Sequence, residues 1–433
     1  MTPAARLSAA VEVFADIETR RRPAADALKD WGLAHRFAGS GDRAAIAGLV
    51  YDALRRKASS ASLMGEASPR AVLIGMLHRE RGLDVAAIDA LCSGARYAPA
   101  PLTEAERAAL AGATLGGAPA HVEGDYPEWL DPYLARVFGG ERAAEGVALA
   151  SRAPLDLRVN TLAGTREDAL PELAHLNAEP ARWSPVGLRI RLAADAKSPA
   201  IHAEPAFLKG RIEIQDEGSQ LAALLAGAKP GEQVIDLCAG AGGKTLALAA
   251  VMENRGQIYA TDTDKRRLAP IHDRLARAGA RNVQVRTPKS VGNELADLAG
   301  RADLVLIDAP CTGIGTWRRN PDAKWRIRPS ALAERIKKQD AVLESAVALL
   351  KPGGRIAYIT CSVLAEENGD RVRAFIGRHG DFSVEKPGNV INSLGDRAYL
   401  FARAALISEE GLLMTPRRTD TDGFFVSMLR HSA

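Results

Sequence analysis

Cysteine is scarce in this chain. There are four in 433 residues (Cys92, Cys238, Cys311 and Cys361), too scattered for a disulfide framework. No two form a CxxC pair, so a zinc site is not expected. Aromatic residues make up only 5%, and no apolar run reaches the ~18 residues that a membrane span needs. Glu12 and Asp16 interrupt the first apolar residues, which excludes a secretory h-region there. Neither sign of charge dominates, since 57 Lys and Arg against 53 Asp and Glu leave +4. These absences point to a cytoplasmic protein with reduced thiols, no membrane partner and no metal. The length predicts two to four domains at roughly 100–200 residues each.

What charge there is gathers in one place. From Trp317 to Lys338 there are eight Lys and Arg against Asp322 and Glu334, an excess of +6 within 22 residues. An anionic partner is expected there. Trp317 and Trp325 interleave with Arg318, Arg319 and Arg326, and stacking surfaces beside cations suit extruded or single-stranded bases.

The apolar period changes twice along the chain. Residues 1 to about 110 carry apolar residues at helical spacing (Leu7, Val11, Phe14, Ile17; Ile46, Leu49, Val50, Leu54), and Ala111 to His121 looks like a linker. From Leu155 the pattern becomes LDLRVN, a helix from Arg166 to Leu176 and GLRIRL, a small α+β unit. After Gln215, strand-like runs at 233–238, 257–262, 282–286, 302–308 and 354–361 alternate with helices near 244–253, 264–278 and 331–350. That alternation predicts a doubly wound α/β sheet with parallel strands, and the run 423–429 is placed as an antiparallel strand closing its edge.

The first of these strands runs into DLCAGAGGKT, Asp236 to Thr245. A phosphate-binding P-loop would need glycine where Cys238 stands, and a dinucleotide fingerprint would need it at Thr245. A nucleoside-binding loop remains. Gly240, Gly242 and Gly243 admit a ligand to backbone amides, and Asp262, ending the second strand, can bind a ribose hydroxyl pair. Cys238 within that loop reads as packing, and Cys92 as core.

The fourth strand leads into Asp308-Ala309-Pro310-Cys311, and the fifth ends at Thr360-Cys361-Ser362. Ligands in open α/β sheets bind at the carboxyl ends of the strands, so both thiols face the rim that carries the glycine loop. Alkylation of a pyrimidine at C5 calls for such a set. A thiolate adding to C6 makes C5 enamine-like, a carboxylic acid can assist at N3, and a base must then remove the C5 proton.

These strings resemble the RNA cytosine-5 methyltransferases of the Nop/Sun type, most of all the bacterial small-subunit rRNA methyltransferase B group. The resemblance is carried by QDEGSQ (215–220), DLCAGAGGKT, ATDTD (260–264), DAPCTGIGTWRRNPDAKWR (308–326), TCSV (360–363) and DGFF (422–425). LRVN (157–160) resembles the family's small RNA-binding unit. DRAAIAGLVYDALRR (42–56) and YPEWL (126–130) resemble a NusB-like helical domain and its junction. Two departures stand out: the family's Ala-Pro in the glycine loop is Gly240-Ala241 here, and an acid usual after the third strand is replaced by Thr287-Pro288-Lys289.

The resemblance implies an all-α NusB-like domain over 1–125, a linker helix with a small α+β unit over 126–214, and a Rossmann-like methyltransferase domain over 215–433. It implies Cys361 as the C6 nucleophile, Cys311 in proton removal and release, Asp308 facing cytosine and methyl donor, and Lys244 near both. S-adenosylmethionine would be held by Cys238, Ala239, Gly240, Ala241, Gly242, Gly243, Lys244, Asp262 and Asp308. RNA would be met by Arg158 and Asn160 as well as by Trp317, Arg318, Arg319, Trp325 and Arg326. The expected substrate is 16S rRNA and the expected state a monomer. A tRNA cytosine-5 methyltransferase and a catalytically silent ribosome-assembly factor are the alternatives.

Overall fold

The computed structural model describes residues 1–192, 198–288 and 294–432. They form two compact units, the first comprising Met1–Arg152 with Trp317–Arg328 and the second the other described residues.

The first unit is helical. Thr2 caps its opening helix, Pro3–Arg20, by accepting the Ala5 N–H, and proline sits in the first turn, where no donor is lost. Leu7, Ala10, Phe14 and Ile17 recur at three- and four-residue spacing, so one stripe of the helix enters the core. They share that core with Ile46, Val50 and Leu54 of helix Ser40–Arg55 and with Leu73, Ile74 and Leu77 of helix Pro69–Arg79.

The helical unit runs past the boundary expected at residue 125, to Arg152. Asp125, fully buried, accepts the Ser59 N–H at 2.9 Å and the Ser59 hydroxyl at 2.8 Å, which ties the segment back to helix Lys57–Met64. Gly146 of helix Arg142–Ala150 comes so close to Gly124 that a Cβ on it would lie 2.6 Å from the Gly124 carbonyl oxygen.

The basic segment requires a larger correction. Trp317 is 1% exposed, Arg318 2% and Lys324 0%, so none of them offers a surface to RNA. The segment instead completes a helix end. Helix Ser40–Arg55 leaves its last carbonyls without intrahelical donors. The Trp325 ring N–H donates to Leu54 O at 2.6 Å, and Lys324 Nζ donates to Arg55 O at 3.0 Å. Arg55 returns a bond to the Arg318 carbonyl at 3.0 Å. Burial pushes the Lys324 ammonium down to about 7. Trp325 and Arg319 are half-buried, and Arg326 is exposed but paired with Asp322 at 3.0 Å. Charge counted along the chain therefore overstates the charge presented to a partner.

The second unit contains two sheets. Strands β1 (Leu155–Val159), β2 (Glu179–Pro180), β3 (Gly187–Ile190) and β4 (Ile212–Ile214) pair antiparallel in the order β2-β3-β1-β4. Helix Arg166–Glu172 follows β1, its start fixed by a capping box between Thr165 and Asp168.

The larger sheet comprises β5 (Gln233–Asp236), β6 (Gln257–Ala260), β7 (Val283–Val285), β8 (Ala302–Asp308), β9 (Leu350–Thr360), β10 (Phe382–Val384), β11 (Leu406–Ile407), β12 (Leu412–Met414) and β13 (Phe424–His431). Its order among the described residues is β11-β12-β13-β9-β8-β5-β6-β7, with β10 on the far end of β13. The five strands from β9 to β7 are parallel, a mixed, parallel-rich α/β sheet of Rossmann-like type. β13 is antiparallel to β9, but it lies inside the sheet, since β12 and β10 pair with it in turn. Strands of two or three residues leave no alternating pattern to read. The helix expected over 264–278 is broken into Lys265–Leu268 and Ile271–Ala278 at Pro270, which has no N–H to continue it.

Arg158 and Asn160 are also corrected, because both are buried. Arg158 sits opposite Glu213 in the β1–β4 pairing, and Asn160 Nδ2 donates to the carbonyls of Gly210 and Ala278 at 2.8 Å each. They join the small sheet to the larger domain. Arg189 does the same more strongly, bonding Asp156 at 2.7 Å, Asp420 at 2.7 Å and Glu217 at 3.2 Å while only 3% of its side chain is exposed. Among the described residues no helix is long and apolar enough to cross a membrane, and no cluster of three His, Cys, Asp or Glu could hold a metal ion.

Two stability predictions follow from this packing. Arg189→Met strands buried carboxylates and is expected to cost about 3–5 kcal/mol in denaturant unfolding; a loss below about 1 kcal/mol would show that the network is dispensable. Trp317→Ala is expected to lower stability by about 3–5 kcal/mol, as for other buried aromatics. An RNA-stacking tryptophan would instead leave the melting curve alone and weaken RNA binding.

Candidate active site

In the larger sheet β5 lies between β6 and β8, so the chain turns to opposite sides after it. A crevice opens at such a switch point, outside the carboxyl ends of the strands. The loop after β5 fills that position. Gly240 and Gly242 have φ of 50° and 82°, and Gly242 has no room for a side chain, since a Cβ would meet Ile271 at 2.5 Å. Helix Gly243–Val251 begins directly after it. The loop is held from below by Ala239 N–H to Thr261 O at 2.9 Å and from the side by Arg274 to Ala241 O at 2.7 Å.

Asp262, just past β6, accepts the Gly240 N–H at 3.0 Å and the Asp264 N–H at 2.9 Å. Buried at its own site and anchored to the glycine loop, its carboxylate is placed where a ribose edge would lie beside that loop. The loop's open backbone and this carboxylate fit a nucleoside-bearing cofactor. Burial, reinforced by Asp236, Asp308 and Asp262, pushes the Cys238 thiol up, so it stays neutral.

Lys244 and Asp308 meet across the crevice. Their ion pair is 2.7 Å long, with Lys244 almost wholly buried and Asp308 half-buried, and the ammonium also lies 4.9 Å from the centre of the Phe424 ring. Asp236, at the end of β5, accepts a bond from Thr245 at 2.7 Å, and burial pushes its carboxyl up to about 7.

Beyond Asp308 the chain turns through Ala309 and Pro310 to Cys311, and beyond β9 it reaches Cys361. The two sulfurs are 3.3 Å apart, and both residues are half-buried. The hydrogen bond with Cys361, together with burial, pushes the Cys311 thiol well up, so Cys311 holds its proton. Lys244, Asp308, Cys311 and Cys361 thus belong to the ends of β5, β8 and β9, three strands adjacent in the sheet.

Three residues of this region were not among the expected site residues, although Phe424 lies within the DGFF string. Phe424 underlies Lys244. Glu294 brings a carboxylate to 3.5 Å from Thr261 Oγ1, next to Asp262. Glu367, fully buried, accepts the Thr312 N–H at 2.8 Å. A hint of Glu367 existed in its spacing three and four residues after the apolar pair Val363-Leu364, but the neighbouring Glu366 obscures it. Of the stretch Thr287-Pro288-Lys289, Lys289 lies outside the described residues.

Comparison with known proteins bears directly on this arrangement. A family model described as 16S rRNA methyltransferase RsmB/F matches residues 222–430. A probable ribosomal RNA small subunit methyltransferase B of Synechocystis is 30% identical over 313 residues, covering 70% of this chain and 66% of that protein. The ribosomal RNA small subunit methyltransferase B of Salmonella typhi is 34% identical over 268 residues, 61% of this chain and 60% of that one. The alignments therefore span a little under two thirds of these relatives' length. A solved methyltransferase homologue from Pyrococcus horikoshii is 28% identical with a TM-score of 0.58, covering 72% of this chain and 97% of that one. In its parallel-rich sheet and in the sequence matched over residues 222–430, this chain is similar to the 16S rRNA methyltransferase RsmB/F family, of the Nop/Sun-type RNA methyltransferases.

Proposed function

We propose that this protein methylates cytosine C5 in RNA, with 16S rRNA as substrate and S-adenosylmethionine as donor. The observation that carries the reading is the thiol pair at 3.3 Å beside the Lys244–Asp308 ion pair. The likeness to the RsmB/F family supports the donor and the RNA class.

S-adenosylmethionine would be held by residues 238–244, Asp262 and Asp308, and would supply an electrophilic methyl group. Every other task falls to side chains of this chain. Cys361 adds as thiolate to C6, which removes the ring's aromaticity and makes C5 nucleophilic. Cys311, which holds its proton, lies at hydrogen-bond distance from the Cys361 sulfur. Asp308 faces the pyrimidine edge, and Lys244 both neutralises and orients it at 2.7 Å. After alkylation the C5 proton passes to Cys311, which has first given the proton it holds to water; the C–H electron pair restores the C5–C6 double bond and the C6–S bond breaks, returning Cys361 as thiolate. The target cytosine must be extruded from any helix for its C6 to be reached.

RNA contact is assigned to the surface cations that remain after the buried ones are removed: Arg326 and Arg328, and Lys337 and Lys338 on helix Pro329–Val347. The helical unit is read as the NusB-like RNA-binding part of the chain. Arg55 and Arg56 of its motif are buried, so contact there falls to other residues.

Methyl transfer from labelled donor to deproteinised 16S rRNA, mapped at base resolution, tests the reading. A single 5-methylcytosine is expected; transfer into tRNA alone would move the substrate, and no transfer to either would overturn the activity. Cys361→Ala is expected to abolish transfer while leaving RNA affinity within about twofold, because a nucleophile contributes to the chemical step and not to binding. Cys311→Ala is expected to accumulate a covalent protein–RNA adduct that survives denaturing gels. Undiminished turnover by Cys361→Ala, or an adduct-free Cys311→Ala enzyme that still turns over, would refute the respective role.

A further inference from the structure

We propose that Glu367 is a positioning residue whose carboxylate ties Thr312, the residue directly following Cys311, to the segment that follows Cys361, and so holds the Cys311 and Cys361 sulfurs in contact. The proposal rests on the reading of those thiols as the reacting pair.

Glu367 is fully buried and lies beyond the carboxyl end of β9. One oxygen accepts the Thr312 N–H at 2.8 Å and the Gln339 side-chain N–H at 3.0 Å. The other accepts the Thr312 hydroxyl, whose oxygen lies 3.4 Å from the Ser362 hydroxyl on the other loop. A carboxylate taken out of water costs several kcal/mol unless its lone pairs are met. Here they are met by donors from the Cys311 loop and from helix Pro329–Val347, while Glu367 itself belongs to the segment after Cys361, so the carboxylate is satisfied only while both loops stay in place.

The clamp is itself fixed. The Tyr358 hydroxyl, from within β9, donates to the Glu367 carbonyl at 2.6 Å. Gln339 also donates to the Pro310 carbonyl at 3.0 Å, so the residues on both sides of Cys311 are tied to this one group. On the other loop, Asn368 donates to Ser362 O at 2.9 Å and accepts from Thr360 Oγ1 at 2.5 Å. The sheet supplies little of this order. Past Asp308, among the described residues, the backbones of the two strands exchange Ala309 N–H to Ile359 O at 2.8 Å and those of the loops Gly315 N–H to Cys361 O at 2.9 Å.

Phenylarsine oxide tests the geometry without any substrate. It condenses with two neighbouring thiols, forming two As–S bonds while the arsenic-bound oxygen leaves as water with both thiol protons. The full-length protein is expected to bind it tightly, and Cys311→Ser to lose that tight binding. Glu367→Gln is expected to weaken it about tenfold or more, the worth of one buried hydrogen bond left unmade. Thr312→Val, which removes one link, is expected to weaken it less. The double variant should be no weaker than Glu367→Gln alone, since the two changes break the same contact. In methyl transfer, Glu367→Gln should lower kcat and leave KM for RNA within about twofold.

A folded Glu367→Gln protein that binds the arsenical like the wild type would overturn the clamp. If that variant does not fold, Thr312→Val decides alone by the same measurement. Failure of the functional reading shows differently. Clamp-dependent arsenical binding in a chain that methylates no RNA keeps the clamp and discards the activity. Methyl transfer with arsenical binding indifferent to both substitutions keeps the activity and discards the clamp.

Discussion

The register of two parallel strands governs the whole site. Asp308 pairs with Ile359 in neighbouring strands β8 and β9, so the chain leaves the sheet at nearly the same height on both. Three residues further on one strand and two on the other stand Cys311 and Cys361. A slip of one residue in that pairing would turn alternate side chains to the opposite face and separate the sulfurs. The register is protected by burial, because the facing residues of both strands, Leu304 to Ile307 and Ile356 to Ile359, are inaccessible to water.

Burial explains the electrostatics as well. Four ionisable groups near the rim (Asp236, Cys238, Cys311 and Glu367) are pushed up by desolvation or by contact with other acids, which favours their neutral forms. Lys244 supplies a buried positive charge beside Asp308. The crevice is therefore suited to a reaction in which protons are held and released by groups of unequal acidity.

The segment after Cys311 shows how one stretch of chain serves two neighbourhoods. Up to Thr316 it packs with the catalytic unit, and from Trp317 to Arg328 it packs with the helices. Its Trp325 and Lys324 cap the end of helix Ser40–Arg55, a structural use of residues whose composition reads as nucleic-acid binding.

What the sequence determined by itself was the order of strands and helices in the catalytic part, the glycine loop, and the two Cys motifs. Each is written in local periodicity or in residues that only one kind of turn accepts. Legibility stopped at partners distant along the chain. Arg158 and Asn160 look like surface residues of a short strand until Glu213, Gly210 and Ala278 come to lie against them. Trp325 and Lys324 look exposed until helix Ser40–Arg55, some 270 residues earlier, offers carbonyls at its end. Glu367 is one of two adjacent glutamates, and tertiary packing alone selects it for the thiol loops. Burial of a polar group is favourable only when a partner is already in place, and which partner arrives is decided by the fold.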